Sequence, residues 1–204
     1  MTNLPELRKR AARQLTNPFM TMLSKSHITP DILTWLGLAI NILAAGFIAA
    51  GYLIAGGVLV LVAGLFDILD GALARFTNKT TVFGGLLDST FDRLSEAVVF
   101  IGLLILYAPL GDVLIIVVIF ASMVGSFLTS YIRARAEGLG LACSVGLFTR
   151  AERVIILCLG LLFDKILIAL AILVVLSFIT VGQRLVYVWL QTRKKENLKG
   201  SERS

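Results

Sequence analysis

Four of the chain's seven aspartates are Asp67, Asp70, Asp88 and Asp92, and their spacing could do chemistry. Asp67 and Asp70 are three residues apart, and Asp88 and Asp92 are four apart, so on helices each pair shares one face. A short turn containing Asn78 and Lys79 separates the pairs. Two antiparallel helices side by side would bring four carboxylates into one pocket. Such a group repels itself unless cations neutralise it. Oxygen-only ligands suit hard divalent ions such as Mg²⁺, Mn²⁺ or Ca²⁺. Two ions sharing carboxylates would suit in-line displacement at phosphorus. A carboxylate not consumed in coordination could act as general base.

Other chemistries are poorly supplied. His27 is the single histidine, so a histidine triad or His-rich metal site is not expected. Cys143 and Cys158 lie in or beside apolar segments, with no metal spacing and no disulfide framework.

The segments that must carry the aspartates are apolar. The 204 residues are 57% apolar and 16% charged, with a mean hydropathy of +0.90. That excludes a disordered chain and an ordinary soluble enzyme. No charge occurs between Asp31 and Asp67, and Ile166–Gly182 is also uncharged. A span needs about 20 apolar residues. The pattern predicts an all-α integral membrane protein with six transmembrane helices, at 31–52, 56–76, 82–108, 112–138, 147–163 and 166–192. The whole chain reads as one domain: a juxtamembrane segment 1–28, a core 29–192 and a basic tail 193–204. In the first segment, Leu4, Leu7, Leu15, Phe19, Met20 and Leu23 interleave with Arg and Lys, as in an amphipathic surface helix.

Lys and Arg number 19 against 13 acidic residues, a net charge of +6. The basic groups lie before span one, between spans two and three, between four and five, and after six. The opposite loops carry only Lys165. The positive-inside rule then puts both termini in the cytoplasm of a multi-pass protein. The excess charge is explained by topology, and no nucleic-acid partner is expected.

Carboxylates at membrane depth are costly and point to function. Gly71, Ala72, Ala74, Gly84 and Gly85 keep the surroundings open to a ligand, and Arg75 is suited to a phosphate. Two competing readings are buried ion pairs with Arg75 and Arg93, and an ion or proton pathway in a transporter. The latter would need charges reaching both faces, whereas here they cluster at one.

The stretch Asp67-x-x-Asp70-Gly71-x-x-Ala74-Arg75, eight residues, Gly84-x-x-x-Asp88-x-x-x-Asp92 resembles the complete signature of the CDP-alcohol phosphotransferases. The resemblance implies a six-helix core with an N-terminal surface helix, in a homodimer with a cytoplasm-facing site. It implies one Mg²⁺ on Asp67, Asp70 and Asp88 and a second on Asp67, Asp88 and Asp92, with Mn²⁺ as the alternative metal and Asp92 as the base. Gly71, Ala74, Arg75, Thr81 and Gly84 would receive the CDP-lipid, either CDP-diacylglycerol or CDP-archaeol. Thr29-Pro30-Asp31-Ile-Leu-Thr34 is similar to the family's entry to the first span, so Pro30, Asp31 and Thr34 join that set. Pro30 and Asp31 also suit an ordinary helix start.

A second basic cluster bears on the acceptor. Ser130, Arg133 and Arg135 end span four, Arg150 and Arg153 open span five, and Arg184 lies within span six. A phosphate on the acceptor would satisfy several guanidinium groups. Anionic membrane lipids, or orientation alone, would be the plainer use of these arginines. Ser-Tyr-x-Arg-Ala-Arg-Ala-Glu (130–137) and Gly-Leu-x-x-Arg-Ala-Glu-Arg (146–153) are similar to the inositol phosphate-using members, the phosphatidylinositol phosphate synthases and archaetidylinositol phosphate synthases. That similarity implies inositol 1-phosphate as acceptor, contacted by Ser130, Arg133, Arg153 and Arg184, with Arg135 and Arg150 beside them. Glycerol 3-phosphate, as in phosphatidylglycerophosphate synthases, is the alternative.

Overall fold

The structure, a computed structural model, describes residues 29–77 and 81–201, with side chains to residue 194. The expected surface helix within 1–28 and the turn residues Asn78 and Lys79 lie outside the described residues.

The described residues form six α-helices: α1 Pro30–Ala49, α2 Leu53–Phe76, α3 Val82–Tyr107, α4 Val113–Gly138, α5 Arg150–Leu162 and α6 Ile166–Ser201. Local chemistry sets their starts. Thr29 caps α1 and accepts from the Ile32 amide, Pro30 follows it, and Asp31 lies in the first turn. Thr81 caps α3 by accepting from the Gly84 amide at 2.8 Å. Asp112 caps α4, taking the Leu114 and Ile115 amides. Glu152 accepts from the Thr149 amide at 2.8 Å in a capping box that opens α5. Between α3 and α4, a single 3-10 turn ends at Gly111, whose φ of 70° is the left-handed conformation that glycine adopts without strain.

Five segments are long and apolar enough to cross a membrane: Pro30–Ala49, Leu53–Phe76, Val82–Leu110, Val113–Gly138 and Ile166–Lys194. This is a multi-pass, all-α membrane protein. The fifth expected span, 147–163, is different. α5 has 13 residues, which at about 1.5 Å per residue is roughly 20 Å, short of a hydrocarbon core of about 30 Å. The final helix also runs further than expected, continuing to Ser201 through most of the basic tail.

Packing is organised around two helices. α1 lies against both α2 and α3, while α6 lies against α4 and α5. α2 also meets α5, and α3 meets α4. The side-by-side contact expected between α2 and α3 is not a close one: both pack on α1, and the site opens between them. The main core joins Ala44 and Ile48 of α1, Val60 of α2, Val99, Phe100 and Leu103 of α3, Ile115 and Ile119 of α4, Leu157 and Leu161 of α5, and Leu170 and Leu173 of α6. Large apolar side chains such as Ile68, Val117, Phe120 and Val186 point outward, as a surface solvated by acyl chains requires.

Gly102 sets the α1–α3 approach. A Cβ there would stand 2.6 Å from the Ala45 carbonyl oxygen, which is backbone and cannot swing aside. Gly102→Ala is therefore expected to destabilise the fold by about 1–3 kcal/mol. Thermal unfolding of the detergent-solubilised variant measures this, and an unchanged midpoint would refute it.

The α4–α5 connection, residues 139–149, alternates between inward and exposed residues, with Leu139, Ala142, Ser144 and Leu147 exposed. Leu141, Cys143 and Phe148 are buried. Irregular backbone near membrane depth needs partners within the protein, and α6 supplies them. Arg184 Nε donates to the Val145 carbonyl at 2.9 Å, Gln191 donates to the Ala142 carbonyl at 2.9 Å, and Gln183 accepts from the Leu147 amide at 3.2 Å.

Candidate active site

The last three turns of α2 carry Asp67, Asp70, Gly71, Ala74 and Arg75, and the first three turns of α3 carry Gly84, Asp88 and Asp92. One carboxylate oxygen from each of Asp67, Asp70 and Asp88 lies within 4.8 Å of the others. Asp70 is buried and accepts from the Thr34 hydroxyl at 2.7 Å. That hydrogen bond ties the start of α1 to the cluster and fixes one Asp70 oxygen.

Asp92 is not one of this trio, but its carboxyl group stands against that of Asp67. Arg150, at the start of α5, donates through Nη1 to Asp67 Oδ2 and lies 2.8 Å from Asp92 Oδ1. One guanidinium thus bridges the carboxylates of two helices. The ion pairs considered above with Arg75 and Arg93 are not formed among the described residues: Arg93 donates to the Ser89 carbonyl one turn behind it, and Arg75 lies over Gly71.

The donor set fits a divalent metal. Three carboxylates face one another, oxygen is the only ligand type, and Arg150 touches only Asp67 of the three. A hard cation relieves that repulsion where neighbouring apolar helices cannot.

Two cavities flank the carboxylates. The first, of about 230 Å³, is lined by Pro30, Asp31, Thr34, Asp70, Gly71, Ala74, Arg75, Thr81, Gly84, Gly85 and Asp88. It gathers every residue expected at the donor position. A side chain on Gly71 would press on the Arg75 guanidinium, 3.3 Å from where its Cβ would sit. The second cavity, of about 150 Å³, is lined by Asp92, Arg93, Glu96, Ser130, Arg133, Thr149, Arg150, Arg153 and Arg184. It collects the second basic cluster except Arg135, which is exposed and does not line it. A third, more apolar cavity of about 220 Å³ runs from Asp67, Arg150 and Asn41 down between α2 and α5 along Leu61, Leu65, Val154 and Ile155.

The basic residues have partners of their own. Arg133 is exposed and paired with Glu137 at 2.9 Å. Arg184, expected to need a partner, is buried and holds the carbonyls of Val145 and Thr129. Arg153 is buried on Glu96, with Nε to Oε1 at 2.9 Å and Nη2 to Oε2 at 3.1 Å. Its Nη1 donates to Thr129 Oγ1 at 3.2 Å. Glu96 and Thr129 were not among the expected site residues. Glu96 carried a usable signal, since it follows Asp92 by four residues, directly precedes the apolar run 97–107 and is itself an intramembrane acid. Thr129 carried none.

Residues 27–189 match the family model described as CDP-alcohol phosphatidyltransferase. The chain belongs to that family. The transporter reading is thereby set aside, and the chain is a CDP-alcohol phosphotransferase, a membrane transferase of phospholipid biosynthesis. Among relatives within the family, it is 39% identical over 163 residues to the archaetidylinositol phosphate synthase of Pyrococcus horikoshii, covering 79% of this chain and 84% of that one. It is 38% identical over 200 residues to the phosphatidylinositol phosphate synthase of Mycobacterium marinum, covering 93% and 86%. The crystal structure of the Mycobacterium tuberculosis phosphatidylinositol phosphate synthase with CDP-DAG bound superposes with a TM-score of 0.79 at 36% identity, over 86% of this chain and 94% of that one. The same enzyme in complex with manganese and citrate gives 0.78 over 85% and 88%. These likenesses agree with a divalent-metal site at the carboxylates and a CDP-alcohol as substrate.

Proposed function

We propose that this family member transfers a phosphatidyl-type group from a CDP-lipid to a hydroxyl of inositol 1-phosphate, releasing CMP. The observation that carries the reading is the pair of cavities on either side of the carboxylates, one lined by the signature residues and the other by arginines. The relatives named phosphatidylinositol and archaetidylinositol phosphate synthases support the choice of acceptor.

In this reading, the donor cavity takes the CDP moiety. Gly71 and Ala74 leave room beside α2, and Arg75 and Thr81 contact the phosphates. Pro30, Asp31 and Thr34 form the α1 wall, with Gly84 opposite. The acyl or isoprenoid chains leave laterally between helices. Arg153, Arg184, Arg133 and Ser130 receive the acceptor's phosphate, with Arg150 nearest the reacting centre and Arg135 contributing charge at the rim. Asp92 faces the acceptor cavity and removes the proton of the attacking hydroxyl. That oxygen bonds to the phosphorus carrying the lipid, and the bond from this phosphorus to the CMP oxygen breaks. Two Mg²⁺ ions, or Mn²⁺, held by Asp67, Asp70 and Asp88 and by Asp67, Asp88 and Asp92, would stabilise the negative charge left on the pyrophosphate oxygen. The basic residues at the carboxylate end put the site at the cytoplasmic side of the membrane, in a homodimer as the family resemblance implies.

The test is CMP release by the purified protein with Mg²⁺ and CDP-diacylglycerol or CDP-archaeol, across inositol 1-phosphate, inositol, glycerol 3-phosphate and serine. Turnover is expected with inositol 1-phosphate and not with free inositol. Turnover with glycerol 3-phosphate alone would keep the chemistry and replace the acceptor.

A further inference from the structure

Glu96 and Arg153 form a bidentate pair in which both side chains are almost wholly buried, at 8% and 3% exposure. Such a pair is a poor device for stability alone. Desolvating both charges offsets most of their attraction, and apolar residues of similar volume often do as well or better. Its position offers another use. Both residues line the acceptor cavity together with Ser130, Arg133 and Arg184.

The hydrogen bonds define what the guanidinium presents. Arginine has five N–H groups. Glu96 takes one on Nε and one on Nη2, and Thr129 Oγ1 takes one on Nη1. One N–H on each terminal nitrogen remains, and two such donors can serve two oxygens of one anion. The carboxylate also fixes the plane of the group, so that little rotamer freedom is lost when an anion arrives. Arg184, which holds the Thr129 carbonyl, steadies the same turn of α4 from the other side.

We propose that Glu96, assisted by Thr129, is a positioning residue that holds Arg153 with its two terminal N–H groups turned to the acceptor's phosphate. Glu96 makes no contact with the acceptor itself and acts through Arg153. The inference rests on the reading of this cavity as the acceptor-phosphate site.

A double-mutant cycle on the full-length protein tests it, using CMP release at varied inositol 1-phosphate and varied CDP-lipid. Glu96→Gln keeps the shape and removes the charge. It is expected to raise the acceptor KM about tenfold while the donor KM stays within about twofold. Arg153→Gln is expected to raise the acceptor KM at least as much. In the Arg153→Gln background, Glu96→Gln is expected to add nothing, because its effect passes through the missing guanidinium. Thr129→Val, which removes only the Nη1 partner, supplies the same readout if Glu96→Gln fails to fold, with an expected rise of about threefold. An acceptor KM raised by Arg153→Gln but unmoved by Glu96→Gln and Thr129→Val would overturn the positioning role and leave the cavity reading standing. Equal rises in both KM values with a lowered melting midpoint would reduce Glu96 to a structural residue. An acceptor KM indifferent to Arg153→Gln would overturn the cavity reading and the inference with it.

Discussion

Asp92→Asn is expected to lower CMP release by about 10²–10⁴-fold, the usual contribution of a positioned general base. The variant should still bind CDP-lipid. The asparagine oxygen can continue to accept from Arg150, which lies 2.8 Å from Asp92 Oδ1, so α3 and α5 stay tied together. The donor cavity, which Asp92 does not line, keeps its walls. What the amide lacks is the capacity to take a proton at neutral pH and the negative charge with which Asp92 would help hold the second metal. Parallel measurement of CMP release and donor binding checks the assignment. Near-normal release would remove Asp92 from the role of base, and loss of donor binding would assign its main effect to the second metal.

Chelation of divalent ions is expected to abolish activity, and added Mg²⁺ or Mn²⁺ should restore it. The trio of Asp67, Asp70 and Asp88 offers oxygen ligands within 4.8 Å of one another. A graded version tests the geometry. Thr34→Val removes the hydroxyl that donates to Asp70 while preserving side-chain volume. Outer-sphere partners of this kind contribute about 10–100-fold to metal affinity or activity. The Mg²⁺ concentration for half-maximal CMP release should rise in that range, with activity recovered at saturating metal. A variant with unchanged metal dependence would show that Thr34 does not orient the ligand.

The sequence carried the site's chemistry further than its geometry. Intervals of three and four residues placed each aspartate pair on one helix face, and the structure keeps Asp67, Asp70 and Asp88 together. Charge-free runs located the long helices to within a few residues at most ends. The bridge from Arg150 to Asp67 and Asp92 was not legible, because it joins α5 to helices more than 50 residues away and depends on how α5 docks. The apolar run after Arg153 resembled a span because composition does not reveal that the preceding residues 139–149 are held against α6. Their backbone is satisfied by Arg184, Gln183 and Gln191, three polar residues that local periodicity alone could not pair with a loop. Glu96 was the one missed residue that the rule applied to the aspartates would have caught.

The short α5 has a consequence for how a water-soluble substrate and a lipid meet. Its far end adjoins Asp164 and Lys165 before α6 begins, a charged corner that belongs at a bilayer surface. Counting back along α5 at about 1.5 Å per residue, Arg150 lies roughly 10 Å and Arg153 roughly 15 Å short of the opposite boundary of a hydrocarbon core of about 30 Å. With that corner at the bilayer surface, the arginine-lined cavity would be the floor of a well sunk into one leaflet. In the proposed reaction, a lipid whose headgroup reaches the carboxylates would keep its chains in the leaflet, because the soluble acceptor would descend to it. Raising the lipid instead would cost about 0.8 kcal/mol for each methylene drawn into water. In the proposed reaction, the half-length helix would replace that expense with a descent by the polar acceptor into a cavity lined by Arg133, Arg150, Arg153 and Arg184.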